Sequence, residues 1–176
     1  MARVVNVHER RLPASLDEVG ALIDTLSSPH DRLWPRDAWP RMALDRPLGV
    51  GADGGHGPIR YEIEEYTPGR SLWCRFKGPR GFDGGHGFEL ESHPDGTTTL
   101  RHVLRMQTTG PARLTWPLAL RWMHDALVED GLDCAEVVFG RRPRAPRWSP
   151  WVRVLRWLVS GGQAKPQSAP GAAALR

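Results

Sequence analysis

The sequence predicts an α+β fold: a curved antiparallel sheet of about six strands with one long C-terminal helix across its buried face. Three observations carry this. Residues 59–64, 71–77 and 88–91 alternate apolar and polar side chains, as half-buried antiparallel strands do. Tight-turn signals, Thr67-Pro68-Gly69-Arg70 and His93-Pro94-Asp95-Gly96, punctuate those runs. Finally, Trp116, Leu120, Met123, Leu127, Gly131, Cys134 and Val138 recur at intervals of three and four, an apolar helical stripe.

Taken in order, residues 4–12 (VVNVHERRL) read as a strand that starts with β-branched residues. Turning Leu12 inward would also turn Asn6, His8 and Arg10 toward the sheet's inner face. The opposite register buries Val5 and Val7 and avoids an unpaired Arg inside, so it is the one expected. Ser15 and Glu18 have the spacing of a capping box, and Val19, Leu22, Ile23 and Leu26 make the apolar stripe of the helix they open. Ser27-Ser28-Pro29 stops it. A second helix within 30–41 would be short or irregular, because Trp34-Pro35 and Trp39-Pro40 disfavour α conformation before each Pro. Strands are expected at 42–46, 57–66, 71–77, 86–92 and 97–107. Pro117 suits the first turn of the last helix and Gly140 its end. Asp125, Glu129, Asp133 and Glu136 are expected on that helix's solvent side.

The chain has 176 residues, 40% hydrophobic and 25% charged, which suits one globular domain. Its net charge of +4 hides a division. Residues 141–176 carry eight basic residues and no acid, and residues 1–140 sum to −4. A pI near 9.7 therefore does not mark the folded part as a nucleic-acid binder, and no nucleic-acid partner is expected. The organisation expected is a domain over 1–140, a basic Trp-rich amphipathic segment over 141–159, and a disordered Gly-, Ala-, Pro- and Ser-rich tail over 160–176. Within 148–159, Trp148, Trp151, Val152, Leu155, Leu158 and Val159 share one helical side, with Arg153 and Arg156 among them. Such a helix suits docking on the protein itself, on a second subunit in a homodimer, or on an anionic membrane surface.

Two cysteines exclude a disulfide scaffold and a four-Cys zinc site, and both Cys74 and Cys134 sit in apolar stripes, as inert core thiols do. The N-terminus has no signal-peptide core, and no apolar run reaches 18 residues. A cytoplasmic protein, at most peripheral to a membrane, is expected. There is no nucleophile elbow, phosphate loop or dinucleotide fingerprint, and no cofactor is expected.

Three stretches, LPASLDEVGALI, GPIRYEIEEYTPGRSLWCRF and GPARLTWPLALRWMHDALVEDGLDCAE, resemble the START-like helix-grip superfamily, also called SRPBCC or polyketide cyclase/dehydrase-like. The resemblance covers roughly residues 4–140 and is greatest to bacterial members. It implies an elongated apolar cavity between the sheet and the last helix, in a fold with the two short helices expected after the first strand. Members bind lipids, sterols or polyketides, and some catalyse cyclisation, dehydration or hydrolysis. The superfamily has no universal catalytic motif, so the resemblance implies a ligand class and not a reaction.

On that reading the ligand-binding wall comprises Tyr61, Ile63, Cys74, Phe76, Phe88, Leu90, His102, Leu104, Met123, Leu127 and Gly131. His102, in phase with Leu100 and Leu104, and Tyr61 are the catalytic candidates, as acid and base; the alternative for each is a core side chain with a satisfied polar atom. Gly131 either leaves room for a ligand or packs closely against the sheet. The heptapeptide Gly51-Ala52-Asp53-Gly54-Gly55-His56-Gly57 recurs as Gly81-Phe82-Asp83-Gly84-Gly85-His86-Gly87. Asp53, His56, Asp83 and His86 would suit a metal by type. The two copies, however, precede strands about 9.6 Å apart, too far for one ion without loop approach. Two polar, Gly-rich hairpin loops are the simpler expectation, with no metal. The function expected is binding of a hydrophobic small molecule, lipid or polyketide-like, without strong catalysis. A cyclase/dehydratase-type enzyme and a membrane-surface accessory protein are the alternatives.

Overall fold

The computed structural model describes residues 1–142, 145 and 147–159; the expected disordered tail and Arg144 lie outside the described residues. The chain runs β1 (Ala2–Leu12), α1 (Leu16–Asp24), β2 (Ala43–Leu44), β3 (Asp53–His56), β4 (Ile59–Thr67), β5 (Ser71–Gly78), β6 (Phe82–Ser92) and β7 (Thr98–Thr108). There follow α2 (Ala112–Thr115), a π-helical turn (Trp116–Leu120), α3 (Arg121–Val138) and α4 (Pro150–Val159). One seven-stranded sheet, antiparallel throughout, has the order β1-β7-β6-β5-β4-β3-β2. This is the α+β helix-grip arrangement, with the long helix across the sheet.

Local chemistry sets the boundaries. The Ser15 hydroxyl accepts from the Glu18 backbone N–H, while Glu18 takes the Ser15 N–H, a complete capping box. Arg70 N donates to Thr67 O across a turn that needs Gly69 at φ 68°. After α3, Gly140 adopts φ 89°, and the Arg141 N–H reaches back to Glu136 O, the bond pattern that closes a helix on a left-handed residue. The final helical run begins one turn earlier than Pro117 suggests. Pro117 lacks the N–H for an α-helical bond, and the backbone widens there into the π turn, closed by Arg121 N to Trp116 O.

Residues 25–42 form turns and no second helix. The heptapeptide copies are not hairpin loops: Asp53–His56 is β3, and Phe82–His86 opens β6. Their glycines are needed because neighbouring backbone comes too close for a side chain. A Cβ on Gly55 (φ 154°) would strike the Ile59 carbonyl oxygen, and one on Gly84 (φ 144°) the Arg105 carbonyl oxygen.

The register of β1 is the reverse of the one expected. Val5 and Val7 are 54% and 48% exposed. Asn6, His8 and Arg10 instead face α3, where the acidic residues await them. His8 Nε2 lies 3.2 Å from Asp125 Oδ1 and His8 Nδ1 2.7 Å from Glu129 Oε1. Arg10 Nη2 contacts Glu129 Oε2 at 2.7 Å and Asp133 Oδ1 at 3.2 Å, and Asn6 Nδ2 donates to Asp125 Oδ1 at 2.9 Å. Glu136, expected in solvent, is buried beside Arg10 and Arg141. The inward Arg is thus paired, and the penalty that argued against this register does not arise.

These pairs perturb the titrations. Hydrogen bonds to Asp125 and then Glu129 raise the His8 pKa from 6.5 to about 9. Glu129 is lowered to about 2, chiefly by His8 and also by Arg10. Burial alone would raise the Asp125 carboxyl, but the bonds from His124 and His8 outweigh it and hold it below the ordinary range. A raised folded-state pKa stabilises the fold fully below pH 6.5, and the contribution fades as pH climbs through 9. The Tm gap between wild type and His8→Gln should therefore be widest at pH 6, worth about 3 kcal/mol at most, and close by pH 10. A gap that widens with pH in calorimetry would contradict the ladder.

Candidate functional site

Between the concave face of the sheet, α3, residues 34–42 and α4 lies a cavity of about 720 Å³. Tyr61 (β4), Cys74 and Phe76 (β5), Phe88 (β6), and His102 and Leu104 (β7) line it from the sheet. Met123, Leu127 and Gly131 line it from α3. Ile63 and Leu90 do not; they pack in the neighbouring core cluster. A Cβ on Gly131 would meet the Leu33 carbonyl oxygen at 3.4 Å, so this glycine faces the 33–35 segment and not the sheet. Cys74 and Cys134 are free and buried, and burial pushes both thiols up to about 12, far from a reactive thiolate.

Four histidines and Tyr61 form a connected series along the wall. His56 Nδ1 is 3.2 Å from the Tyr61 hydroxyl, and the Tyr61 ring meets the His86 ring edge-on at 5.0 Å. His86 Nδ1 is 3.3 Å from His102 Nε2, and the His102 ring is 5.1 Å from that of His124. His124 Nδ1 ends the series 3.3 Å from Asp125 Oδ1. Burial is the leading cause that lowers every one of these imidazoles, His56 to about 3 and His86 and His102 well below 6.5; in His124 the Asp125 bond offsets part of it. All four are therefore neutral near pH 7. His86 Nε2, His102 Nδ1 and His124 Nε2 are buried and have no protein partner. Tyr61 is fully buried, and burial holds its hydroxyl protonated.

The repeat accounts for two of these histidines. Asp and His three residues apart on a strand point to opposite faces. Asp53 accordingly pairs with Lys77 and Asp83 with Arg75 on the outer face, while His56 and His86 enter the cavity. The four cannot share one ion. Among the described residues, His8, His124 and Asp125 bring ligating atoms within 4.8 Å of one another. Two carboxylates hold His8 as an imidazolium, however, and an imidazolium has no lone pair for a metal. His124 escaped the sequence reading, although its spacing to Leu120 and Leu127 placed it in phase with the apolar stripe.

The amphipathic segment forms α4 and is clamped to the domain. Val152 and Leu155 are buried. Trp39 and Trp148 both donate their indole N–H to buried Asp130 Oδ2, at 2.7 and 2.9 Å. The Arg156 guanidinium lies 4.3 and 3.7 Å from those two ring centres and donates to Ala38 O. The cavity reaches the surface between exposed Pro40, Arg41, Gly57 and Pro58 on one side and exposed Arg153, Trp157 and Val159 of α4 on the other.

The architecture defines the class: a helix-grip fold around a mainly apolar cavity that opens to the surface. Solved structures share it. Norcoclaurine synthase of Thalictrum flavum superposes with a TM-score of 0.60 at 13% identity, covering 80% of this chain and 96% of that one. CalU16 of Micromonospora echinospora gives 0.55 at 16% identity over 92% and 96% of the two chains. A protein of Thermobifida fusca gives 0.59 at 16% over 78% and 93%. No family model and no curated protein matches the chain. At these identities the likeness establishes the helix-grip fold and nothing finer. No helix among the described residues is long and apolar enough to cross a membrane.

The clamp has a local signature. Arg156→Ala should speed amide hydrogen exchange in α4 about tenfold or more, since the cation–π contacts and the hydrogen bond together contribute on the order of 2 kcal/mol. Exchange in α3 and the sheet should stay unchanged; uniform acceleration would mean that α4 is not a separately docked element.

Proposed function

We propose that the protein binds an elongated hydrophobic small molecule, lipid- or polyketide-like, and sets a polar group of it against His86, His102 and His124. One observation carries this reading: a 720 Å³ cavity, mostly apolar, whose lining includes three histidines that each keep one buried nitrogen no protein group satisfies. A buried unpaired polar atom costs about 1–3 kcal/mol, and a ligand hydroxyl or carbonyl would recover much of it. Neutral imidazoles also suit an uncharged ligand group: one nitrogen of each is bonded within the protein, and the other is left to donate or to accept, as its tautomer allows.

An enzyme of the cyclase/dehydratase type is the second reading. His102 and Tyr61 line the same cavity, and norcoclaurine synthase, by its name an enzyme, has this fold. Their chemistry argues for weak catalysis. An imidazole lowered well below 6.5 is a poor proton acceptor, and Tyr61 bonds to His56 and remains protonated. Binding is therefore the better-supported role.

Native mass spectrometry of protein incubated with lipid and polyketide mixtures should reveal a retained hydrophobic ligand. Met123→Trp should cut its affinity at least about tenfold by filling the cavity, with Tm unchanged. His102→Leu should cost a ligand bearing a hydroxyl or carbonyl about tenfold, and a pure hydrocarbon nothing. An empty cavity after such incubation, or equal affinity in Met123→Trp, would sink the proposal.

A further inference from the structure

We propose that the surface formed by α2, the π turn and the outer side of α4 docks on an anionic lipid bilayer. The surface stands apart from the cavity's occupant; only the delivery of ligand through it rests on the binding reading above.

The inner side of α4 is spent, with Val152 and Leu155 buried against the domain. Its outer side is apolar all the same. Trp151 is 46% exposed, Val154 46%, Trp157 52% and Leu158 59%. A second apolar row runs beside it: Leu114 at 67%, Leu118 at 61% and Trp122 at 47%, four residues apart along consecutive turns. The two rows join where the Trp151 indole donates to the Leu118 carbonyl at 2.9 Å. A joined apolar surface of this kind is unusual on a protein that meets only water.

Charge selects the occupant. Arg113, Arg121, Arg147 and Arg153 are exposed on the elements that carry these rows or lead into them, and residues 141–159 contain no acid. Asp125, the nearest acidic partner of Arg121 at 3.5 Å, is already held by His8 and His124. Two copies meeting through this face would set arginine against arginine. An anionic interface meets the apolar side chains with acyl chains and the arginines with phosphates, and Trp belongs at that depth. The same helix supplies Arg153, Trp157 and Val159 to the cavity mouth. A bilayer seated there would face the opening, so a hydrophobic ligand could pass between membrane and cavity without crossing water.

The test is co-sedimentation of the full chain with vesicles of phosphatidylcholine alone and of phosphatidylcholine with one-third phosphatidylglycerol. The expected result is binding to the anionic vesicles, weakened by salt. Val154→Asp with Leu158→Asp should reduce it about tenfold or more. Arg113→Gln with Arg153→Gln should also reduce it roughly tenfold. All four positions are exposed, and unchanged circular dichroism checks the fold of each variant. No binding to anionic vesicles at low salt overturns the proposal, as does equal binding by the Asp variant. So does a dimer, seen by light scattering, that the Asp variant splits, because a second copy would then be the occupant. Ligand binding measured without vesicles reports the cavity separately, so either reading can fail while the other stands.

Discussion

The ion ladder between β1 and α3 determines where the other parts lie. His8 and Arg10 on the edge strand engage Asp125, Glu129 and Asp133 along one side of the helix. With that side committed, the stripe from Trp116 through Met123 to Leu127 lines the cavity over the concave sheet, and Gly131 faces the 33–35 segment. The ladder is partly buried, so its desolvation cost is substantial, and it does more to fix the helix's rotation than to add net stability. It also reaches the cavity lining: Asp125 holds one nitrogen of His124 and leaves the other buried and unpaired.

Burial does the rest of the chemistry. The same low-polarity surroundings that favour an apolar ligand strip His56, His86, His102 and His124 of their protons. The wall therefore presents hydrogen-bonding nitrogens without charge. That combination recognises a neutral oxygen function on a hydrophobic body, and it is poorly suited to strong base catalysis. The clamp of Arg156 between Trp39 and Trp148 then places α4 beside the mouth.

Much of this was legible in the sequence, because period and punctuation are local. The alternation through Ile59, Tyr61 and Ile63, the capping box at Ser15 and the stripe of α3 each follow from short-range rules. Nine of the eleven expected wall residues line the cavity; Ile63 and Leu90 share their inward face but lie in the filled part of the core. What failed depended on distant partners. The register of β1 was misread because Arg10 finds Glu129 and Asp133 more than a hundred positions away. The Gly-rich repeat was misread as loops because backbone crowding at Gly55 and Gly84, invisible in sequence, makes glycine a strand residue there. The role of Arg156 required two tryptophans from separate segments.

The most direct measurement is long-range ¹H–¹⁵N NMR of the imidazole nitrogens, titrated between pH 5 and 8 with and without a hydrophobic ligand that carries one hydroxyl or carbonyl. The expected result is that His86 and His102 stay neutral throughout, that His124 protonates only below the ordinary imidazole range, and that ligand shifts the resonances of His86 Nε2, His102 Nδ1 or His124 Nε2. Histidines that protonate near pH 6.5, or nitrogens unmoved by saturating ligand, would contradict a buried, neutral recognition wall.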